Sequence, residues 1–314
     1  MPKECEIPTI AIGNISTGGT GKTPFTETLI DLFGQTFDVA VLSRGNGRKT
    51  SGFRWVEVDS LARDCGDEML QVKRRYPNIP VAVCERRLDG AKIIREECPN
   101  VNLLLLDDAY QHRYISRDVN ILLTTYKEPY FKDYLLPMGN LREFRYAKTR
   151  AHIIVVTKCP PGSSRRSLRK YFRKIRASGR QYATFTMNSY DEARGLFDNE
   201  STDLKAYETC LLVTGIANNK DIIEHLESLD KKVEVMRYKD HANYTKSKVN
   251  NIAQTFQNLN EQSPTCIITT QKDAVKLQEW KDELGSLPVF SITYSFVLDK
   301  NHELKRWILP RILR

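Results

Sequence analysis

Glycine, lysine and hydroxyl side chains are concentrated in one short stretch near the start of the chain. Residues 16–23 read Ser-Thr-Gly-Gly-Thr-Gly-Lys-Thr, directly after an apolar run and directly before a segment of helical character. In such a loop, backbone N–H groups cradle phosphate oxygens, a lysine reaches the β- and γ-phosphates, and the final hydroxyl binds Mg²⁺. The stretch therefore predicts a Walker A loop for ATP, with serine in place of the usual first glycine. The predicted nucleotide ligands are Ser16, Thr17, Gly18, Gly19, Thr20, Gly21, Lys22 and Thr23.

Two carboxylates follow a run of four leucines further along the chain. Asp107 and Asp108 come directly after residues 101–106, which are predicted to form a buried strand. Ligands of α/β proteins bind at the carboxyl ends of parallel strands, and a nucleotide site needs an acidic group that holds its metal. We therefore predict that Asp107, Asp108 and the Thr23 hydroxyl bind Mg²⁺. An acidic strand end also commonly caps the next turn, and that alternative stays open.

The strands and helices that must position these groups are predicted from the sequence pattern, in which short apolar runs alternate with segments of helical period. That pattern is typical of a parallel sheet covered by helices. Strands are predicted at residues 9–13, 38–43, 81–84, 101–106, 119–124 and 153–157, and later at 210–214, 232–238 and 266–270. Helices are predicted at residues 23–33, 67–76, 87–97, 164–177 and 302–313.

Two further segments, residues 181–189 and 287–296, are β-branched and aromatic in the manner of strands. We predict that they form a two-stranded bridge between two lobes. The predicted fold is α/β, with a P-loop NTPase-like, mostly parallel sheet flanked by helices and a second, smaller α/β lobe. The predicted domains are a P-loop core at 1–190, the smaller lobe at 191–286, and a return strand with the C-terminal helix at 287–314.

Composition narrows the class of protein. The formal net charge of +9 suits nucleic acid, anionic lipid or a phosphorylated substrate, and charge alone does not choose among them. Seven cysteines, without a CxxC pair, indicate neither a disulfide framework nor a zinc site, so a reducing, cytoplasmic compartment is expected. No apolar run approaches the roughly 18 to 20 residues of a membrane span.

A series of further motifs follows in a fixed order over most of the chain. Together with the Walker A loop, they resemble the tetraacyldisaccharide 4'-kinase family. The matching segments are residues 13–24, 43–45, 47–48, 66–68, 107–113, 136–137, 139–143, 214–218, 240–241 and 270–275.

The resemblance implies a kinase that transfers the γ-phosphate of ATP to the 4'-hydroxyl of a tetraacylated glucosamine disaccharide 1-phosphate in lipid A biosynthesis. Mg²⁺ is the implied metal. The implied location is peripheral, at the cytoplasmic face of the bacterial inner membrane, with the acylated disaccharide and the anionic membrane surface as partners. A monomer without a nucleic-acid partner is expected.

The resemblance also implies roles for particular side chains. Asp67, in the Gly-Asp-Glu segment, is the implied general base, oriented by His241 from the second lobe. The non-catalytic alternatives are that Asp67 only caps the helix that begins at Glu68 and that His241 is a surface residue.

Further charged groups are placed around the nucleotide or substrate by the same matching motifs. Arg44 and Arg142 are expected to act with Lys22 in catalysis, and Glu143 to contact the nucleotide. Glu68 is expected to join the metal ligands.

The chain departs from the family pattern at several positions. Asn46 stands where an aromatic residue is usual, Ala109-Tyr110 where Gly-Phe is usual, and Ala242 where a second histidine is usual. Family members usually carry an N-terminal hydrophobic or amphipathic helix, and fewer than ten residues precede the first strand here. We therefore expect either a truncated chain or a membrane contact elsewhere.

The basic segment at residues 165–176 is a candidate for that contact. Leu168, Phe172 and Ile175 recur at helical spacing among its arginines and lysines, as in helices that lie on anionic lipid. An ordinary surface helix with its apolar stripe toward the core has the same pattern. We favour the core interpretation.

Two other classes of protein remain as alternatives. One is a P-loop switch or assembly protein that hydrolyses nucleotide. Residues 155–159 faintly resemble the guanine-reading loop of GTPases, but Pro160 stands where the required aspartate would be, two positions after Lys158. The other is a nucleic-acid-binding ATPase, suggested by the positive charge but lacking a binding signature.

Overall fold

The structure is a computed structural model and describes residues 3–175, 179–198, 200–216, 219–239 and 242–313. Its first part contains β1 (Thr9–Gly13), α1 (Lys22–Phe33), β2 (Val39–Ser43), β3 (Arg54–Trp55), α2 (Ala62–Cys65), α3 (Asp67–Arg75), β4 (Val81–Val83), α4 (Arg87–Glu97), β5 (Leu103–Leu106), β6 (Val119–Thr125), β7 (Ile153–Cys159), α5 (Arg169–Ile175) and β8 (Tyr182–Tyr190). The second part contains β9 (Ala193–Gly195), β10 (Ser201–Thr202), β11 (Thr209–Thr214), α6 (Lys220–Ser228), β12 (Lys232–Arg237), α7 (Lys246–Asn260), β13 (Thr265–Thr270), α8 (Gln271–Leu277), α9 (Lys281–Leu284), β14 (Val289–Ile292), β15 (Tyr294–Leu298) and α10 (Asn301–Ile312).

The larger sheet has nine strands in the order β15-β8-β7-β6-β1-β5-β2-β4-β3. The seven strands from β8 to β4 run parallel, and the two edge strands are antiparallel to their neighbours. Strands β1, β2 and β5 are buried along their whole length, which explains their continuous apolar sequences. The carboxyl ends of these strands lie at one edge of the sheet. The predicted phosphate and metal ligands come directly after β1 and β5 at that edge.

The smaller sheet has six strands in the order β10-β9-β14-β13-β11-β12. Its four strands from β14 to β12 are parallel, whereas β9 and β10 are antiparallel additions. One face is covered by α7, whose Val249, Ile252 and Phe256 are buried with Leu211 and Ile267 of the sheet. Each sheet thus has its own core, and the predicted α/β fold with a smaller second lobe is confirmed. The exact domain boundaries stay a prediction.

The two lobes are joined by an antiparallel strand pair, as predicted. β8 pairs with β15 from Tyr190↔Tyr294 to Thr186↔Leu298. The prediction of one continuous strand at residues 287–296 is wrong, because the chain leaves one sheet and enters the other at Thr293. Uniform β-branched and aromatic composition does not reveal which sheet a strand joins.

The basic segment folds as an ordinary surface helix. Leu168 and Ile175 are buried in the core of the larger lobe, and Phe172 packs partly buried against Phe185. The core interpretation is therefore confirmed. The helix is shorter than predicted, beginning at Arg169 rather than at 164.

Within the described ranges, no helix combines the length and apolar character needed to cross a bilayer.

Candidate active site

The Walker A loop connects the buried end of β1 to the start of α1. Gly18 and Gly21 have φ angles of +96° and +84°, a backbone region that side chains with a Cβ rarely adopt. At Gly21 an added Cβ would also overlap the ring of Phe296 on β15, whereas no heavy atom lies within 4 Å of the corresponding position at Gly18. The loop conformation therefore depends on glycine for two different reasons.

Hydrogen bonds from the sheet hold this loop in place. The Asn14 side-chain amide donates to the Thr20 hydroxyl at 2.8 Å, and the Thr157 hydroxyl donates to the Thr20 carbonyl at 2.9 Å. All three side chains are buried. The curve of the loop is thus fixed by the protein alone.

A second segment borders the loop from outside. The Thr17 N–H donates to the Asn140 carbonyl at 2.7 Å, and the Arg142 N–H donates to the Ile15 carbonyl at 2.8 Å. This pairing brings the Arg142 side chain to the cleft beside Lys22. Arg142 and Lys22, which are expected from the sequence to act together, both line this cleft, and their catalytic role stays a prediction.

The two aspartates after β5 lie in different environments. Asp107 is fully buried and accepts a hydrogen bond from the Thr26 hydroxyl at 3.1 Å. Burial, reinforced by the nearby charges of Glu68 and Asp108, raises the pKa of Asp107 to about 7. Asp108 lines the cleft, with its Oδ1 3.5 Å from Lys22 Nζ and 3.6 Å from Arg142 Nη2.

Asp108 Oδ1 is a buried oxygen that accepts no hydrogen bond from any described residue. A carboxylate oxygen in that state is suited to a hard cation, and Mg²⁺ typically takes one or two carboxylates together with phosphate oxygens and water. Thr23 and Glu68 line the same cleft. These oxygen donors fit Mg²⁺ held jointly with a nucleotide. Across the described chain, no group of three or more His, Cys, Asp or Glu side chains is arranged to hold a metal on its own.

The cleft has a volume of about 700 Å³ and lies between the two lobes. The Walker A loop forms one wall, and the smaller lobe contributes the wall opposite. The smaller-lobe residues at the cleft are Ile216, Asp221, Ile222, Thr270, Gln271, Lys272 and Ile292. Such a cleft can hold a nucleotide at one side and an acceptor at the other.

Asp67 begins α3 and is 3% exposed. Its Oδ2 lies 2.9 Å from Lys276 Nζ, on α8 of the smaller lobe, and Lys276 also donates to the Ala242 carbonyl at 3.3 Å. Asp67 itself does not line the cleft, although Glu68 and Gln71 of the same helix do. His241, its predicted partner, lies outside the described residues.

The other predicted charged residues are divided. Arg142 is at the cleft, whereas Arg44 is exposed and Glu143 is half-buried, and neither of these two lines it. Glu143 forms a two-pronged ion pair with Arg150 at 2.7 and 2.9 Å and accepts from the Gln111 amide at 3.1 Å. These bonds hold the pKa of Glu143 below its usual range, although partial burial acts in the opposite direction.

Three basic residues near the site have no role in the kinase predicted from the sequence. Arg87 is 2% exposed and donates to the Cys84 carbonyl at 2.8 Å, and burial lowers its pKa to about 10 beside Asp107 and Asp108. Lys127 and Lys158 line the cleft, and burial lowers the pKa of Lys158. Lys127 and Lys158 follow predicted strands, and Arg87 begins a predicted helix. Their positions at the carboxyl edge of the predicted sheet were the signal that could have identified them.

A Walker A loop facing carboxylates at the carboxyl edge of a parallel sheet, with a second lobe across the cleft, defines a two-lobed P-loop phosphotransferase. Residues 1–313 match the tetraacyldisaccharide-1-P 4'-kinase family. The chain belongs to this family, and the predictions of the family and of an ATP-dependent kinase are confirmed.

Named relatives agree with this assignment. The chain is 39% identical to the tetraacyldisaccharide 4'-kinase of Bacteroides fragilis strain YCH46, over 88% of this chain and 75% of that protein. It is 35% identical to that of Parabacteroides distasonis, over 98% and 86%. The crystal structure of LpxK from Aquifex aeolicus in complex with ATP superimposes with a TM-score of 0.74 at 27% identity, covering 99% of this chain and 90% of that one.

Proposed function

We propose that this chain transfers the γ-phosphate of ATP to the 4'-hydroxyl of a tetraacylated glucosamine disaccharide 1-phosphate in lipid A biosynthesis, at the cytoplasmic face of the bacterial inner membrane. One observation carries the proposal: in a chain of this family, the Walker A loop, Asp108 and Arg142 converge on a cleft whose far wall belongs to another lobe. A switch protein that only hydrolyses its nucleotide transfers the phosphate to water, so it would not need a second wall that binds a sugar acceptor.

The phosphates of ATP are bound by backbone N–H groups of the Walker A loop and by the start of α1, whose dipole favours anions. Lys22 and Arg142 flank Asp108 at the cleft and are close enough to turn toward phosphate oxygens. Their positive charges stabilise the negative charge that develops on the transferred group.

Mg²⁺ bound here would supply positive charge that offsets the negative charge of the phosphate oxygens. Its proposed protein ligands are the Thr23 hydroxyl and Asp108, with Glu68 beside them and the buried Asp107 behind. Asp107 accepts from Thr26 and is set back from the cleft, so its proposed role is to hold Asp108 and the end of β5 in position.

The acceptor hydroxyl attacks the γ-phosphorus, the bond between that phosphorus and the oxygen of ADP breaks, and the hydroxyl proton passes to Asp67. This role for Asp67 is supported by its position next to the cleft residue Glu68, and the ion pair with Lys276 holds its carboxylate in place. His241 is the proposed partner that orients the base. Closure of the smaller lobe would bring the acceptor to Asp67.

The test is phosphorylation of the acylated disaccharide 1-phosphate with labelled ATP and Mg²⁺. Lys22→Ala is expected to lower kcat/KM by about 10²- to 10³-fold, and Asp67→Ala to lower kcat by about 10²- to 10⁴-fold. Asp89→Ala is the matched control, because Asp89 lies in the first turn of α4 outside the cleft and should leave the rate unchanged. Full activity of Asp67→Ala would remove the assignment of the base.

A further inference from the structure

Residues 132–146, which we call the docking segment, expose an unusual number of large apolar side chains. Eleven such side chains are exposed in the described chain, and five of them lie here. Their exposed fractions are 63% for Tyr134, 54% for Leu136, 85% for Met138, 59% for Phe144 and 70% for Tyr146. An exposed apolar surface of this kind usually marks an interaction site.

The docking segment is held in a defined conformation. Leu141 is 2% exposed and anchors it in the core of the larger lobe. Asp133 Oδ1 accepts from the N–H groups of Tyr134 and Asn140 at 2.8 and 3.0 Å, and the Leu141 N–H donates to the Tyr134 carbonyl at 2.8 Å. The apolar side chains are therefore presented to solvent by a fixed scaffold.

The charge of the docking segment is positive on its exposed side. Of its three cations, Lys132 and Arg145 are at exposed positions, and Arg142 is paired with Asp108 at the cleft. Its two acidic side chains have partners within the protein: Asp133 with the backbone N–H groups above, and Glu143 with Arg150. Arg145 also lies over the ring of Tyr134, with its Cζ 5.2 Å from the ring centre.

This surface adjoins the cleft directly. Asn140, at the tip, accepts from the Thr17 N–H of the Walker A loop, and Arg142 reaches the cleft from the same segment. A ligand bound at the docking segment would therefore lie beside the site of phosphate transfer. Aromatic and aliphatic side chains interleaved with cations are typical of protein surfaces that enter the headgroup region of anionic bilayers.

We propose that the docking segment binds the surface of an anionic phospholipid bilayer and thereby holds the cleft against the layer that contains the acylated substrate. The inference rests on the proposed function, since only a lipid acceptor requires this placement. The alternative basic surface on α5 lacks the apolar part, because Leu168 and Ile175 are buried. The docking segment supplies both parts.

The experiment measures co-sedimentation of the full chain with vesicles of equal parts phosphatidylglycerol and phosphatidylethanolamine, without substrate. Met138→Ser/Phe144→Ser is expected to weaken binding by about tenfold or more, since both side chains would lose apolar burial. Lys132→Gln/Arg145→Gln is expected to weaken binding by a similar factor and to reduce its sensitivity to salt. Phosphatidylcholine vesicles should bind the parent weakly.

Two control variants match these changes. Val58→Ser/Leu229→Ser removes two apolar side chains that are exposed elsewhere, at 46% and 45%. Arg169→Gln/Lys170→Gln removes charge from α5. Both should bind vesicles as the parent does. Loss of binding only in the α5 variant, or unchanged binding in both docking-segment variants, would overturn the proposal.

Two further measurements separate this inference from the proposed function. On acceptor dispersed in detergent, Met138→Ser/Phe144→Ser should keep the parent kcat within about twofold, because neither side chain lines the cleft. A parent that binds vesicles but phosphorylates no acceptor would contradict the proposed function alone. A docking-segment variant that converts a dimer to a monomer in sedimentation would assign the surface to a second copy of the chain and overturn the lipid proposal.

Discussion

Glu27 illustrates how one buried acid can couple the site's supporting helices to pH. It is 2% exposed on α1 and accepts hydrogen bonds from Gln71 and Arg75 of α3, both at 2.9 Å. Burial raises its pKa from 4.5 to about 7, although Arg75 and Gln71 act in the opposite direction. The folded protein therefore keeps a proton that the unfolded chain releases, and the free energy of unfolding falls as pH rises through this window.

Glu27→Gln removes this ionisation while it keeps the shape of the side chain. The free energy of unfolding of the variant minus that of the parent should therefore rise by up to about 3 kcal/mol between pH 4.5 and pH 7. Urea unfolding at several pH values measures this difference. Glu57→Gln is the control, because it makes the same substitution at an exposed position. A pH-independent difference for Glu27→Gln would contradict the account.

At the scale of elements, the Walker A loop is shaped jointly by its glycines and by β15. Gly21→Ala should lower the free energy of unfolding by about 2 kcal/mol or more, because it combines a strained φ with overlap against Phe296. Gly18→Ala has the strain without the overlap and should cost about 1 kcal/mol. Gly19→Ala has neither and should change stability little. Thermal and urea unfolding give the three values, and equal losses at all three positions would refute the role of β15.

The elements at the phosphate site were predictable because their signals are local. The strand Thr9–Gly13, the glycines after it and the aspartates after Leu106 are each defined by a few neighbouring residues. Strand composition likewise predicted the bridge. It did not predict that the second strand divides at Thr293, because that division arises where β14 joins the smaller sheet and β15 joins the larger one. For α5 the sequence allowed two interpretations, and only the burial of Leu168 distinguishes them.

The parts of the site that the sequence does not predict depend on contacts between distant segments of the chain. Lys276 meets Asp67 across more than half of the chain, and nothing near either residue in the sequence indicates the pairing. Arg87 belongs to no motif, and Lys158 belongs only to the weak guanine-loop resemblance. The fold makes both notable, because it buries Arg87 and places the half-buried Lys158 at the cleft. Long-range packing of this kind has no short sequence signature.

At the scale of the whole molecule, α3 and α8 connect the lobes beside the proposed base. The Gln71 amide donates to the Gln271 side chain at 3.1 Å, and Arg74 donates to the Val275 carbonyl at 3.1 Å. Together with the Lys276–Asp67 ion pair, these bonds make the position of Asp67 dependent on the smaller lobe. We therefore propose that Lys276 is a positioning residue that acts through Asp67.

Lys276→Met should lower kcat by about tenfold or more and leave the KM for ATP within about twofold, because Lys276 does not line the cleft. Lys276→Arg should restore part of the rate, since it keeps the charge. In an Asp67→Ala background, Lys276→Met should have little further effect on kcat. Steady-state kinetics of the parent, Lys276→Met, Asp67→Ala and the double variant measure this coupling. Independent, multiplicative losses would show that Lys276 does not act through Asp67.

The oxygen atom that receives the γ-phosphate defines the proposed activity of this chain. The most direct measurement is phosphorus NMR of the product formed from ATP, Mg²⁺ and the tetraacylated disaccharide 1-phosphate, with ADP quantified in parallel. We predict a new phosphate on the 4'-oxygen, formed in equal amount with ADP and only when the acceptor is present. Release of inorganic phosphate at the same rate without acceptor, or a phosphate on any other oxygen, would contradict the account.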